Sequence, residues 1–154
     1  MAENYSSDAR HEIIAALNGF LADTSIVYFK THGYHWNVEG PNFYNLHIMF
    51  EKFYIKLWKS TDEIAERIRS LGEKTPPSYV ELLAHGTIKE AETAPAGHIM
   101  VKALRDDYLA LAKKARDVCS FADVHGDVVT TDIMTKQATF LEKAAWMLQS
   151  SAID

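Results

Sequence analysis

Residues 31–72 read THGYHWNVEGPNFYNLHIMFEKFYIKLWKSTDEIAERIRSLG. Five side chains that bind metals stand in this stretch: His35, His47, Glu51, Asp62 and Glu66. A helical residue turns about 100° and rises about 1.5 Å. With His47 at zero, Glu51 falls near ~40°, Asp62 near ~60° and Glu66 near ~100° on one helix. Those four share a stripe. Leu46, Phe50, Phe53, Leu57, Ile64, Ile68 and Leu71 form a second stripe near roughly −90°. The apolar stripe is expected to face the chain's own core, and the ligand stripe to face away from it.

Distance then limits what one chain can do. Glu51 and Asp62 lie about 16 Å apart along the axis. Metal bonds to oxygen or nitrogen are roughly 2.0–2.6 Å. One helix cannot bring both ends of the stripe to one ion. Two copies packed antiparallel about a two-fold axis can. Tyr54, Ile55, Trp58 and Ala65 share the outward face and suit a contact between copies.

Working outward, Ser6 or Ser7 caps a first long helix with Ile13, Ile14, Leu17, Phe20, Leu21, Thr24, Tyr28 and His35 at helical spacing. Asn18-Gly19 weakens it locally, and Gly40-Pro41 ends it. The second helix runs from about Asn42 to Leu71, with Gly72 just past its end. Thr75-Pro76-Pro77 breaks the chain. Ser78-Tyr79-Val80-Glu81 then reads as a capping box for a short helix closed by Gly86. Residues 87–95 form a polar linker. A third long helix carries Met100, Leu104, Tyr108, Leu111, Ala115, Val118 and Ala122 on one face. After a break at 123–127, a fourth carries Met134, Ala138, Leu141, Ala145 and Leu148. No strand alternation or repeat is found. The fold expected is all-α, a single domain over 1–154. It is a ferritin-like four-helix bundle with a short extra helix in the long connection between helices two and three.

Composition excludes several classes. The chain has 154 residues, 47% hydrophobic and 24% charged, an ordinary globular balance. A net charge of −5 disfavours nucleic acid as a general partner. The lone Cys119 rules out an intrachain disulfide and suits a reducing compartment; it is expected to pack beside the third helix. No apolar run reads as membrane-spanning and no secretory signal is apparent, so the cytoplasm is the expected location.

Histidine with several carboxylates suits Fe(II), and Mn(II) or Zn(II) less exclusively. The expected chemistry is oxidation of Fe(II) by peroxide or dioxygen, with Trp36 an oxidisable ring beside His35. The bland alternatives are a helix-end His35, a solvated His47–Glu51 pair and an ordinary acidic face at Asp62 and Glu66. His32 reads as an accessory ligand or as a helix-end residue. Helices three and four lack the Glu-x-x-His of an intrachain di-iron site, which disfavours an ordinary ferritin.

HWNVEGPNFYNLHIMFEKFY followed by DEIAERIRSLG resembles the Dps family of mini-ferritins, and the resemblance covers nearly the whole chain. It implies a hollow dodecamer with ferroxidase centres at two-fold interfaces. His35, His47 and Glu51 would come from one subunit, and Asp62 and Glu66 from its neighbour. Position 51 is Asp in several members and Glu here. Trp36 matches a tryptophan beside the family centre. The resemblance further implies hydrogen peroxide as oxidant, a stored ferric mineral and protection against oxidative damage. It also implies acidic three-fold pores, for which Asp132 is the best match and Asp127 and Asp123 are candidates; the plain alternative is helix capping. DNA binding in some members uses a lysine-rich tail. Here no lysine precedes Lys30, and Glu3, Asp8 and Glu12 outnumber Arg10. Weak or no DNA binding is therefore expected. A nucleoid-binding protein with a secondary metal site, and a shell that binds metal without turnover, are the alternative readings.

Overall fold

The computed structural model describes residues 6–152. Five helices follow in order: α1 (Ser7–Asn37), α2 (Phe43–Ser70), α3 (Tyr79–Leu83), α4 (Gly97–Val124) and α5 (Val128–Ser151). Helix α1 packs on α2 and α4, α4 packs on α5, and α3 lies against α1. This is the ferritin-like bundle with its extra helix in the α2–α4 connection.

The ends of the helices follow local chemistry. Ser6 Oγ accepts the amide of Ala9 at 3.2 Å and starts α1. Ser78 Oγ accepts the amide of Glu81 at 3.3 Å and starts α3. Gly72, at φ 101°, closes α2. There Glu73 N bonds Ile68 O at 3.4 Å and Gly72 N bonds Arg69 O at 3.0 Å, a Schellman arrangement that only a left-handed residue allows. Asn18-Gly19 does not interrupt α1.

The core is the sum of the apolar stripes. Every member of the α2 stripe from Leu46 to Leu71 is buried, as are Met100, Leu104, Tyr108 and Leu111 of α4. Tyr108 is fully enclosed; its hydroxyl meets Thr31 Oγ1 at 3.3 Å, and burial pushes its phenol pKa up. By length and composition α1 could cross a bilayer, which differs from the expectation above. In the bundle, 56% of its most apolar stretch is buried.

The long connection is tied down where the sequence suggested only a polar linker. Asp23, buried in α1, accepts Thr87 N at 2.6 Å, Ile88 N at 2.9 Å and Thr87 Oγ1 at 2.8 Å, and it pairs with Lys114 of α4. Burial alone would raise the Asp23 pKa. The Ile88 amide, Lys114 and Thr87 outweigh it and bring it below the usual carboxylate value.

Candidate metal centre

The short turn between α1 and α2 sets His35 and His47 face to face. Their rings stack with centroids 3.8 Å apart and planes 16° apart. His35 Nδ1 lies 2.8 Å from the carbonyl of His47, and His47 Nδ1 lies 2.8 Å from the carbonyl of His35. A carbonyl only accepts, so each Nδ1 carries the proton. In the neutral form of each ring the lone pair is then on Nε2. Holding one ring nitrogen on a backbone carbonyl is how proteins aim the other at a metal. The two rings form a preorganised pair of nitrogen donors.

Glu51 follows His47 by one turn of α2 and is half-buried. Asp62 and Glu66 stand farther along the same helix and are exposed. None of the three carboxylates has a hydrogen-bond or ion-pair partner among the described residues. No three His, Cys, Asp or Glu side chains converge within one chain among those residues. The pair His35–His47 is thus brought together, and the pair Asp62–Glu66 stays apart from it. The donor set suits a borderline cation such as Fe(II), with room for further ligands.

The face around these groups is apolar and open. Trp36 is 58% and Trp58 59% exposed, with Phe29 and Ile55 beside them. A groove of about 450 Å³ is lined by Tyr28, Trp58, Asp62, Ala65, Pro76 and Tyr79. A smaller one of about 310 Å³ lies between Tyr28, Tyr54, Ile55, Trp58 and Lys59. An exposed apolar patch rimmed by polar groups marks an interaction surface.

His32 sits inside an aromatic cluster in which Tyr28 and Trp36 stand one turn away on α1 and Tyr54 comes from α2. Its ring stacks on Tyr54 with centroids 3.9 Å apart, and Trp36 is 4.2 Å away. Partial burial, with His35 nearby, lowers its pKa. Cys119, half-buried on α4, lies 3.6 Å from Thr131 O and 3.4 Å from Thr135 Oγ1 of α5.

The acidic residues near the start of α5 divide. Asp127, a pore candidate from the sequence, is committed to bonds within the chain. It is 2% exposed and caps α5, accepting Thr130 N at 3.0 Å and Thr130 Oγ1 at 2.6 Å. It also pairs with Arg67 at 2.7 Å. Burial raises its pKa, but the Thr130 and Arg67 bonds prevail and lower it overall. Asp132 is exposed and pairs with Lys136 one turn on at 2.6 Å. Asp123 is exposed at the end of α4.

Known proteins share this architecture. Residues 14–152 match the ferritin-like domain family. A DNA protection during starvation protein 2 of Bacillus anthracis is 36% identical over 139 residues, covering 90% of this chain and 95% of that protein. A low temperature-induced protein of Nostoc is 38% identical, covering 94% of this chain and 82% of that protein. A Dps structure from Vibrio cholerae O1, described as a member of a broad superfamily of ferritin-like diiron-carboxylate proteins, superposes with TM-score 0.91. It is 31% identical and covers 99% of both chains. On the fold, the family match and these identities, the chain belongs to the Dps family of ferritin-like mini-ferritins.

Proposed function

We propose that the protein oxidises Fe(II) with hydrogen peroxide, or with dioxygen, at centres shared between two subunits. The ferric product is stored inside a hollow dodecamer, and the cell is thereby protected from oxidative damage. His35, His47 and Glu51 of one subunit bind iron together with Asp62 and Glu66 of the partner subunit. Fe(II) is substrate and cargo.

One observation carries this reading: the His35–His47 pair with each Nδ1 held on a backbone carbonyl, on an apolar face whose carboxylates have no partners among the described residues. Half a ligand set on a surface unsuited to water needs a second copy to complete it. Trp36 serves as an oxidisable ring beside the centre. Asp132 and Asp123 draw cations toward a three-fold pore; the burial of Asp127 and its bonds to Thr130 and Arg67 support a structural role for that residue instead. The lone cysteine suits a reducing compartment, and we place the protein in the cytoplasm.

DNA compaction is the weaker reading. Net charge is −5, against the phosphate contacts that supply nonspecific affinity. Residues 1–5 and 153–154, part of the tails on which that expectation rests, lie outside the described residues. Plasmid is expected to run unretarded with the protein at neutral pH and physiological salt; a retained band would favour the DNA reading.

The deciding experiment loads protein with Fe(II) anaerobically, adds hydrogen peroxide stepwise and counts iron after gel filtration. Iron far in excess of the interface centres, co-eluting with the shell, is the expected result. Retention limited to the number of centres would leave a shell that binds metal without turnover.

A further inference from the structure

Beside the His35–His47 pair lies a set of rings that iron binding does not use. His32 is its hub. The ring stacks on Tyr54 with planes 14° apart, and Trp36 lies 4.2 Å off. Tyr54 is also edge-on to His35 at 5.1 Å and to Tyr28 at 6.4 Å. His32 Nδ1 lies 3.2 Å from the Tyr28 hydroxyl. A phenol is a better acid than a neutral imidazole, so Tyr28 donates and Nδ1 accepts. A run of neighbouring rings thus leads from the metal-binding histidines to a tyrosine that has a base in hydrogen-bond contact.

We propose that Tyr28 is an electron donor in the peroxide reaction, with His32 as its proton acceptor. The proposal rests on the ferroxidase reading above. Removing an electron from tyrosine makes its O–H a strong acid, and the proton must leave. Tyr54 and Trp36 have no hydrogen-bonded base among the described residues, whereas Tyr28 has one. An oxidising equivalent that enters the cluster therefore comes to rest on Tyr28.

The step balances without a further reactant. Reducing hydrogen peroxide to two hydroxide ions takes two electrons. One Fe(II) supplies one. Tyr28 supplies the other and passes its proton to His32. The O–O bond breaks, leaving Fe(III), two hydroxide ions, a neutral Tyr28 radical and a protonated His32. A second Fe(II) then returns the electron, and His32 returns the proton. Two Fe(II) are consumed per peroxide, yet they need not be bound together. A centre that fills one iron at a time can thus avoid releasing hydroxyl radical.

Rapid freeze-quench electron paramagnetic resonance tests this. Assembled protein receives less than one Fe(II) per centre and then excess hydrogen peroxide. A tyrosyl signal is expected, altered in shape when the protein carries ring-deuterated tyrosine. Tyr28→Phe, which keeps the ring packing, should remove the signal. His32→Phe, which keeps a ring but no base, should reduce it. Fluorotyrosine placed at position 28 should change the hyperfine pattern, a readout independent of how the Phe variants fold. A full tyrosyl signal in Tyr28→Phe, or an unchanged pattern with fluorotyrosine, overturns the assignment. So does wild-type protein that oxidises iron with no tyrosyl radical. Wild-type protein that fails to oxidise Fe(II) at all would overturn the ferroxidase reading itself.

Discussion

The two helical hairpins of the bundle spend their polar residues differently. On α4 and α5 many of the surface charges are paired within the chain: Arg116 with Glu142, Lys113 with Asp117, Lys136 with Asp132. On the outer face of α1 and α2, Glu51, Asp62 and Glu66 have no partner among the described residues, and exposed aromatic rings surround them. Paired surface charges solubilise a hairpin and contribute little else. Unpaired acids beside aromatic rings and two aimed imidazoles are what the proposed shared centre requires of one subunit. The same fold elements thus separate into a scaffold and a site.

The largest expected effect tests that division directly. Asp62→Ala with Glu66→Ala should abolish peroxide-dependent Fe(II) oxidation and retained iron, in protein that still assembles. Arg116→Ala with Glu142→Ala should change neither. Stopped-flow oxidation assays and iron counted after gel filtration give both answers. Equal loss in the α4–α5 variant, with assembly intact, would break the comparison.

Among the ion pairs that join the two hairpins, the most deeply buried is Arg67 of α2 with Asp127 at the start of α5; Lys30–Asp107 and Asp23–Lys114 join α1 to α4. Removing one member of such a pair costs about 3–5 kcal/mol. Asp127→Ala also removes a helix cap. Each kcal/mol lowers Tm by about 2–4 °C at this size. Calorimetry should therefore show a drop of roughly 6–20 °C. A Tm within about 2 °C of the parent would mean that the pair is not a structural joint.

Acid should weaken the same joints. Asp23 and Asp127 have folded-state pKa values lowered relative to the unfolded chain. Their stabilisation is therefore present above the unfolded carboxylate pKa of about 3.9 and is lost as pH falls through the folded value. Asp107 opposes this. Burial outweighs its 2.7 Å bond to Lys30 and raises its pKa, so its ionisation costs stability as pH rises. Urea midpoints should fall steeply below about pH 4, and less steeply in Asp127→Asn. Identical slopes in the two proteins would remove Asp127 from the account.

What the sequence disclosed and what it hid follow the same line. The α2 stripes were legible because one helix's periodicity decides which residues share a face. The capping serines and Gly72 were legible because their bonds reach only a few residues. The His35–His47 carbonyl exchange was not, since it depends on how α1 and α2 meet across the turn. Asp127 looked like a pore acid because Arg67 lies 60 residues earlier. Asp23 gave no signal beyond an acid in an apolar stretch; its partners stand 64, 65 and 91 residues away. The stacking of Tyr54 on His32 escaped for the same reason, because Tyr54 comes from the other helix.

The smallest expected effects concern two glycines that flank the Asp23 joint. At Gly19, within α1, an added Cβ would meet Lys114 Nζ at 3.6 Å and His85 O at 3.7 Å, ordinary contact distances. Gly19→Ala should therefore stabilise the helix by about 0.5–1 kcal/mol, because alanine gives up less backbone freedom on folding. At Gly86, which ends the segment after α3, the Cβ would lie 2.7 Å from Ile26 Cδ1 and 3.2 Å from Asp23 Oδ1. The isoleucine tip can move, but the carboxylate is held by Thr87, Ile88 and Lys114. Gly86→Ala should destabilise by about 1–3 kcal/mol, the usual cost of overpacking. Chemical denaturation of the two variants reads the sign directly. Opposite signs mean that the long connection is docked on α1 as tightly as the helices are on each other. A neutral Gly86→Ala would mean that the connection yields, and that the rigid part of the scaffold ends at the four long helices.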